Sequence, residues 1–151
     1  MLSKKGISIC GIVVCLLFFF ALTTTIRAAD TTEQIINHID EILKANPLPA
    51  GEKLQRIKVA EDNTITVLVL RMGEGAEAKA HLHKTHDETI IGIKGMGQVM
   101  IGGKWVDVKP GTVHFNPMGK AHAAKQIGKE PLVVISIYTP AMREPDTNLV
   151  Q

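Results

Sequence analysis

An all-β sandwich, jelly roll or barrel with one short helix in front of it is the fold class this sequence predicts. Two observations carry that reading. From Leu54 onward, short runs rich in β-branched residues are separated by Gly and Pro clusters, the pattern of many short strands joined by tight turns. Before them stands one apolar stripe at helical spacing. No repeat or low-complexity segment interrupts the chain.

Taken in order, Lys4 and Lys5 open a leader, Ile7 to Leu22 form an apolar run, and Thr23 to Ala29 close it with mostly small residues. That order is the one a secretory signal shows. Cleavage is expected after Ala28, giving a signal peptide over 1–28 and an exported protein, periplasmic or extracellular. The alternative is an uncleaved membrane anchor, since a 16-residue apolar run is slightly short for a span. Residues 29–51 are expected to hold the helix and a linker. Thr31 or Thr32 can cap that helix, with Gln34 as a capping-box partner of Thr31. Ile35, Ile36, Ile39, Ile42 and Leu43 form its apolar stripe, and Asn46-Pro47 ends it. His38 falls on the polar side.

Strands are then expected at Thr64–Leu70, Thr89–Ile93, Gln98–Ile101, Lys104–Val108, Thr112–Phe115 and Leu132–Tyr138. Gly102-Gly103 reads as a tight hairpin between two of them. The tail after Pro140 is expected to be a partly ordered strap available for a dimer contact.

Charge and cysteine belong mostly to the leader. The chain has 151 residues, a formal charge of +2 and 2 cysteines. The leader holds Lys4, Lys5, Arg27, Cys10 and Cys15 and no acidic residue. Past residue 29 stand 14 basic and 15 acidic side chains, about 122 residues in all, enough for one core. A basic nucleic-acid binder, a disulfide scaffold, a zinc ribbon and a cysteine nucleophile are all disfavoured. Ser136 is the only serine past the leader and sits in an apolar strand, so a serine triad has no support. Arg56, Arg71 and Arg143 are the only arginines there, which weakens a sugar-phosphate isomerase.

Histidine supplies the positive signal. Of 6 histidines, His81, His83, His86, His114 and His122 fall in one stretch, although histidine is a poor core residue. On a strand, His81 and His83 leave the same face, roughly 6 to 7 Å apart at their origins. Glu88 heads the next apolar run. Two imidazoles and a carboxylate suit divalent iron and its neighbours, and His122 can add a third nitrogen from a distant strand.

These residues stand in two motifs. The first is Gly75, then His81, His83, Glu88 and Gly95. The second is Gly111, Pro117, Gly119 and His122, with Gln126 where an asparagine is expected. In both order and spacing the sequence resembles a small single-domain cupin over about Leu54 to Thr139. The resemblance implies a double-stranded β-helix, with the barrel over 52–140 and a tail over 141–151. It implies one divalent metal, iron, manganese, nickel, cobalt, copper or zinc, with His81, His83, Glu88 and His122 as ligands. It also implies a homodimer. The Gln126 departure leaves that ligand set intact and puts the geometry behind it in question.

The expected function is a metal-dependent enzyme on a small molecule, by oxygenation, decarboxylation or isomerisation. The alternative is a non-catalytic module that binds a metal or a small ligand outside the cytoplasm. Expected partners are a small-molecule ligand or substrate and no nucleic acid, with a membrane only if the leader stays uncleaved. Ile90, Ile101 and Ala124 are expected to line the cup. His86 reads as a solvated loop residue, and the side His114 faces depends on whether a bulge intervenes. Trp105, Phe115 and Tyr138, with Met72, Met96, Met100 and Met118, are expected to pack the core.

Overall fold

A computed structural model describes residues 35–150. The expected leader and the expected cap at Thr31 or Thr32 lie outside them. Helix α1 spans Ile39–Ala45, so the apolar stripe is helical only in its second half. Ile35 and Ile36 precede it in non-helical chain, exposed at 53% and 87%. The helix is held from its C-terminal end. The Arg71 guanidinium donates to the Leu43 carbonyl at 2.8 Å, and the Asn46 amide donates to the Ile42 carbonyl at 2.9 Å. The Leu43 carbonyl is one that the last turn leaves without an intrahelical donor, whereas the Ile42 carbonyl also accepts from the Asn46 backbone N–H at 3.1 Å. An Asp40–Lys94 ion pair fastens the first turn.

Ten strands follow: β1 (Leu54–Glu61), β2 (Thr66–Met72), β3 (Glu77–Leu82), β4 (Asp87–Lys94), β5 (Met96–Ile101), β6 (Lys104–Val108), β7 (Val113–Asn116), β8 (His122–Ile127), β9 (Leu132–Thr139) and β10 (Asn148–Leu149). They form two five-stranded sheets, ordered β1-β2-β9-β4-β7 and β10-β3-β8-β5-β6, with antiparallel pairing throughout. This is the expected all-β architecture with one short helix. Among the described residues no helix is long and apolar enough to cross a membrane.

Period-two alternation sets the inner rows. Leu70 pairs with Val134 and Met72 with Leu132 across β2 and β9, and Ser136 pairs with Ile90 across β9 and β4. Met72, Ala76, Ile90, Val99, Val108 and Val134 meet in one buried cluster between the sheets. Gly102 and Gly103 turn the β5–β6 hairpin with φ of 56° and 79°, both left-handed as a type I′ turn requires. Gly95 joins β4 to β5 at φ 69°, where a Cβ would collide with the Pro131 carbonyl. That clash is a physical reason for a glycine at this motif position.

The aromatic expectation holds for Tyr138, 4% exposed, and fails for Trp105 and Phe115, exposed at 38% and 56%. Trp105 lies on β6 and Phe115 on β7, the end strands of their sheets, where among the described residues one flank has no neighbouring strand. Lys125 covers part of Trp105, its Nζ 4.0 Å from the ring centroid. Met72 joins the core, Met100 is half-buried, and Met96 and Met118 are exposed.

Candidate metal centre

The site is assembled from both sheets. His81 on β3 lies directly opposite His122 on β8. A register shift between Ala78 and His81 brings that end of β3 into place, as bulges do when they re-aim a side chain. His83 stands one residue past β3, off the strand that its spacing predicts. Its carbonyl accepts from the Gly119 N–H at 2.7 Å, which ties the first histidine motif to the turn of the second. Glu88, on β4 of the other sheet, completes the group with its carboxylate 3.6 Å from His83 Nε2 and 3.3 Å from His122 Nε2.

One ring nitrogen each of His81, His83 and His122 lies within 4.8 Å of the others. The opposite nitrogens are spent on backbone carbonyls. His81 Nδ1 contacts the Lys79 carbonyl at 2.7 Å, His83 Nδ1 that of Asp146 at 2.7 Å, and His122 Nδ1 that of Lys120 at 3.1 Å. A carbonyl can only accept, so each Nδ1 carries the proton and each neutral ring turns a bare Nε2 lone pair inward. This is the outer arrangement that orients metal-binding histidines. His83 Nε2 and His122 Nε2 are buried without a hydrogen-bond partner. Such orphaned nitrogens are costly unless something else occupies them. The donor set therefore fits a divalent transition metal, with its identity left open.

The electrostatics agree. Burial pushes the Glu88 carboxyl up, but the adjoining His122 and His83 imidazoles and the Ser136 hydroxyl outweigh it and hold the group well below the usual carboxylate range. Burial opposes charge on His83, yet the Glu88 carboxylate and the Asp146 carbonyl raise its pKa. Burial and the neighbouring imidazoles lower that of His81.

Two residues that sequence reasoning did not place in the site hold Glu88 in position. Asn116 donates to Oε2 at 3.1 Å and Ser136 donates to Oε1. A signal for each exists in retrospect. Ser136 is polar in a core row of β9, and Asn116 stands just before Pro117 of the second motif. Asp146, described below, left no such signal.

Two expectations are corrected, for His86 and Gln126, and the open orientation of His114 is decided. His86 is not solvated: it is fully buried, with its ring centroid 4.5 Å from His83 and 4.8 Å from Tyr138. His114 pairs with Ile90 on β4, is only 8% exposed, and has both ring nitrogens buried without partners. Burial first, then the neighbouring His122 imidazole, lowers its pKa. Gln126 ties two turns together far along β8 from His122. Its Oε1 accepts from Gly75 N at 3.0 Å and its Nε2 donates to carbonyls including that of Glu130, at 2.8 Å. The departure from the motif thus concerns the barrel's turns.

A small pocket of about 70 Å³ opens beside the cluster. Leu54, Leu70, Ile90, Val99 and Ala124 supply apolar wall, whereas Ile101 is 45% exposed and lines a separate surface hollow. Arg56, Tyr138 and Thr147 are the polar side chains of the lining besides the histidines and Glu88.

Comparison with known proteins gives the same picture. A family model described as a cupin domain matches residues 68–138. A glucose-6-phosphate isomerase from Pyrococcus furiosus is 34% identical over 67 residues, 40% of this chain and 35% of that protein. The isomerase of Thermococcus kodakarensis is 34% identical over 111 residues, 66% of this chain and 59% of its own. The chain thus spans about a third of the first relative's length and under two thirds of the second's. Among solved structures, an uncharacterised conserved protein with a double-stranded β-helix domain from Klebsiella pneumoniae is similar with a TM-score of 0.66 and 24% identity. That match covers 78% of this chain and 100% of the other. KdgF from Halomonas sp. follows with a TM-score of 0.59 and 22% identity, covering 63% of this chain and 86% of its own. At these identities the structures show the fold alone.

Proposed function

Starting from the membership of this chain in the cupin superfamily, we propose that it is an exported enzyme that holds one divalent metal through His81, His83, Glu88 and His122. Its substrate is a small, mostly apolar molecule with an anionic group, and its reaction is an oxygenation, a decarboxylation or an isomerisation. One observation carries the reading: three imidazoles spend Nδ1 on backbone carbonyls and converge beside a buried carboxylate at the wall of an apolar pocket.

A divalent ion bound there supplies Lewis acidity and open positions for water, oxygen or substrate. The chain's own residues do the rest. Ser136 and Asn116 keep the Glu88 oxygens aimed at the histidines. The aliphatic wall excludes water, which strengthens every charge interaction inside. Arg56 offers a guanidinium to an anionic group. Burial, then the Glu88 charge, pushes the Tyr138 hydroxyl well above its ordinary pKa, so it keeps its proton and serves as a donor.

A sugar phosphate has less support, despite the archaeal isomerases. Its many hydroxyls need polar partners, whereas the walls are aliphatic, and Arg56 is the one Lys or Arg among the described lining residues. A non-catalytic binding module is the second reading. What favours it is that the lining supplies no proton carrier beyond the cluster itself, because Tyr138 holds its proton. In either reading the mature chain pairs as a homodimer, for which Val113 and Phe115 on end strand β7 offer apolar surface, 68% and 56% exposed.

Native protein purified without chelator should carry about one divalent ion per chain by elemental analysis. A screen of small aromatic and dicarboxylic acids should then give oxygen uptake or product. Binding without turnover across the screen would favour the second reading. A metal content well under half an equivalent after supplementation would defeat the enzyme reading and leave only a module that binds a small ligand without metal.

A further inference from the structure

The C-terminal segment crosses back over the site, and one residue of it touches the cluster twice. The Asp146 carbonyl accepts from His83 Nδ1 at 2.7 Å. Its carboxylate does something different. Oδ2 accepts from the Lys84 N–H at 2.7 Å, the Thr85 N–H at 2.8 Å and the Thr85 hydroxyl at 2.7 Å. Oδ1 accepts from the Asn148 amide at 2.7 Å. One buried carboxylate therefore clamps the turn that follows His83 to the segment that supplies His83 with its acceptor. Pairing of β10 with β3 adds only two residue pairs, Asn148 with Leu82 and Leu149 with His81. The clamp is thus the main polar tie at this point of the tail.

His83, His86 and Asp146 also lie close enough to hold an ion of their own. Their atoms argue against that use. The Asp146 carboxylate already accepts four hydrogen bonds, and His83 Nδ1 already donates one. An ion there would displace most of them.

We propose that Asp146 is a positioning residue of the metal centre: its carboxylate anchors the C-terminal segment so that its own carbonyl keeps His83 turned with Nε2 toward the ion. This rests on the metal reading above. The tail is then a working part of the centre. A metal-binding histidine oriented by such an outer partner typically loses about 10–100-fold in affinity when that partner goes.

The test compares Asp146→Ala with Asp146→Asn, whose amide oxygen can still accept from the Lys84 and Thr85 donors. Cobalt(II) affinity of the apo-protein is read by chelator competition, and the site's geometry by the visible cobalt spectrum. Asp146→Ala should weaken cobalt binding by about 10–100-fold and alter the spectrum, while Asp146→Asn stays close to wild type. Gly103→Ala, in the remote β5–β6 hairpin, controls for lost stability: it should lower the melting temperature and leave cobalt affinity unchanged. A wild-type affinity and spectrum for Asp146→Ala would overturn the proposal. So would an equal loss in Gly103→Ala, or two cobalt ions per wild-type chain. Nitrogen-15 NMR of the metal-free protein at alkaline pH keeps this separate from the metal reading. Wild-type His83 should carry its proton on Nδ1, and Asp146→Ala should mix the tautomers. If wild type bound no cobalt, the metal reading would fall, and a wild-type His83 protonated on Nε2 would overturn the positioning role by itself.

Discussion

Glu88 is a buried carboxylate that keeps its charge because two imidazoles, a hydroxyl and an amide surround it. Its pKa lies well below 4.5, the ordinary value, so its contribution to the metal-free fold is full above that value and is lost as pH falls through the lower folded one. Glu88→Gln should cost the apo-protein about 1–3 kcal/mol at neutral pH, since hydrogen bonds to a charged group are lost. Urea denaturation should show that gap closing below about pH 4.5. The same variant, and His122→Ala, should each weaken metal binding at least about tenfold in a chelator competition. The four residues of this cluster were legible because their spacing is fixed by a motif. His86 was not: its neighbours Lys84, Thr85 and Asp87 are polar, and packing against Tyr138 from another strand, His83 and Asp146 buries it. Ser136 and Asn116 stand out as polar residues, but a single polar residue in a strand does not announce its partner.

Strands of this chain are set by β-branched runs and stopped by glycines, so most were readable to within two residues. Lys104–Val108 is observed with its expected bounds, and Leu132–Tyr138 extends by one residue. Gly102 and Gly103 were readable as a hairpin because a type I′ turn needs two left-handed residues. Gly103→Ala should cost about 1–2 kcal/mol by urea denaturation, since the residue has open space and only the backbone conformation opposes a side chain. Gly92→Ala should cost more, because a Cβ there meets the Lys109 carbonyl and β4 has to shift. Strand β10 and the first half of the helical stripe were misjudged or unseen. A two-residue pairing leaves no periodicity, and Ile35 and Ile36 carry a helical pattern with no surface to pack against among the described residues.

On the proposed metal reading the whole molecule is a proton-sensitive binder, since imidazole must be neutral to ligate. Affinity should fall as pH drops through about 6. His83, its pKa raised by Glu88 and Asp146 against burial, is protonated before His81, whose pKa burial lowers. A titration showing the same metal affinity from about pH 7.5 to pH 5 would contradict a three-histidine site. The proposed export and pairing predict a mature chain beginning near Ala29 by N-terminal sequencing and a dimer mass by light scattering. Among these properties, the sequence by itself determined the fold class, the hairpin and the candidate ligand set. The first two follow from local spacing, which period-two strands and left-handed turns convert directly into geometry, and the ligand set follows from the resemblance of two motifs to those of a cupin. Only the tertiary structure decided which polar residues support the cluster, what buries His86 and His114, and how Asp146 reaches His83 from 63 positions away. Those contacts join segments from different strands and both sheets, so no local pattern in the chain encodes them.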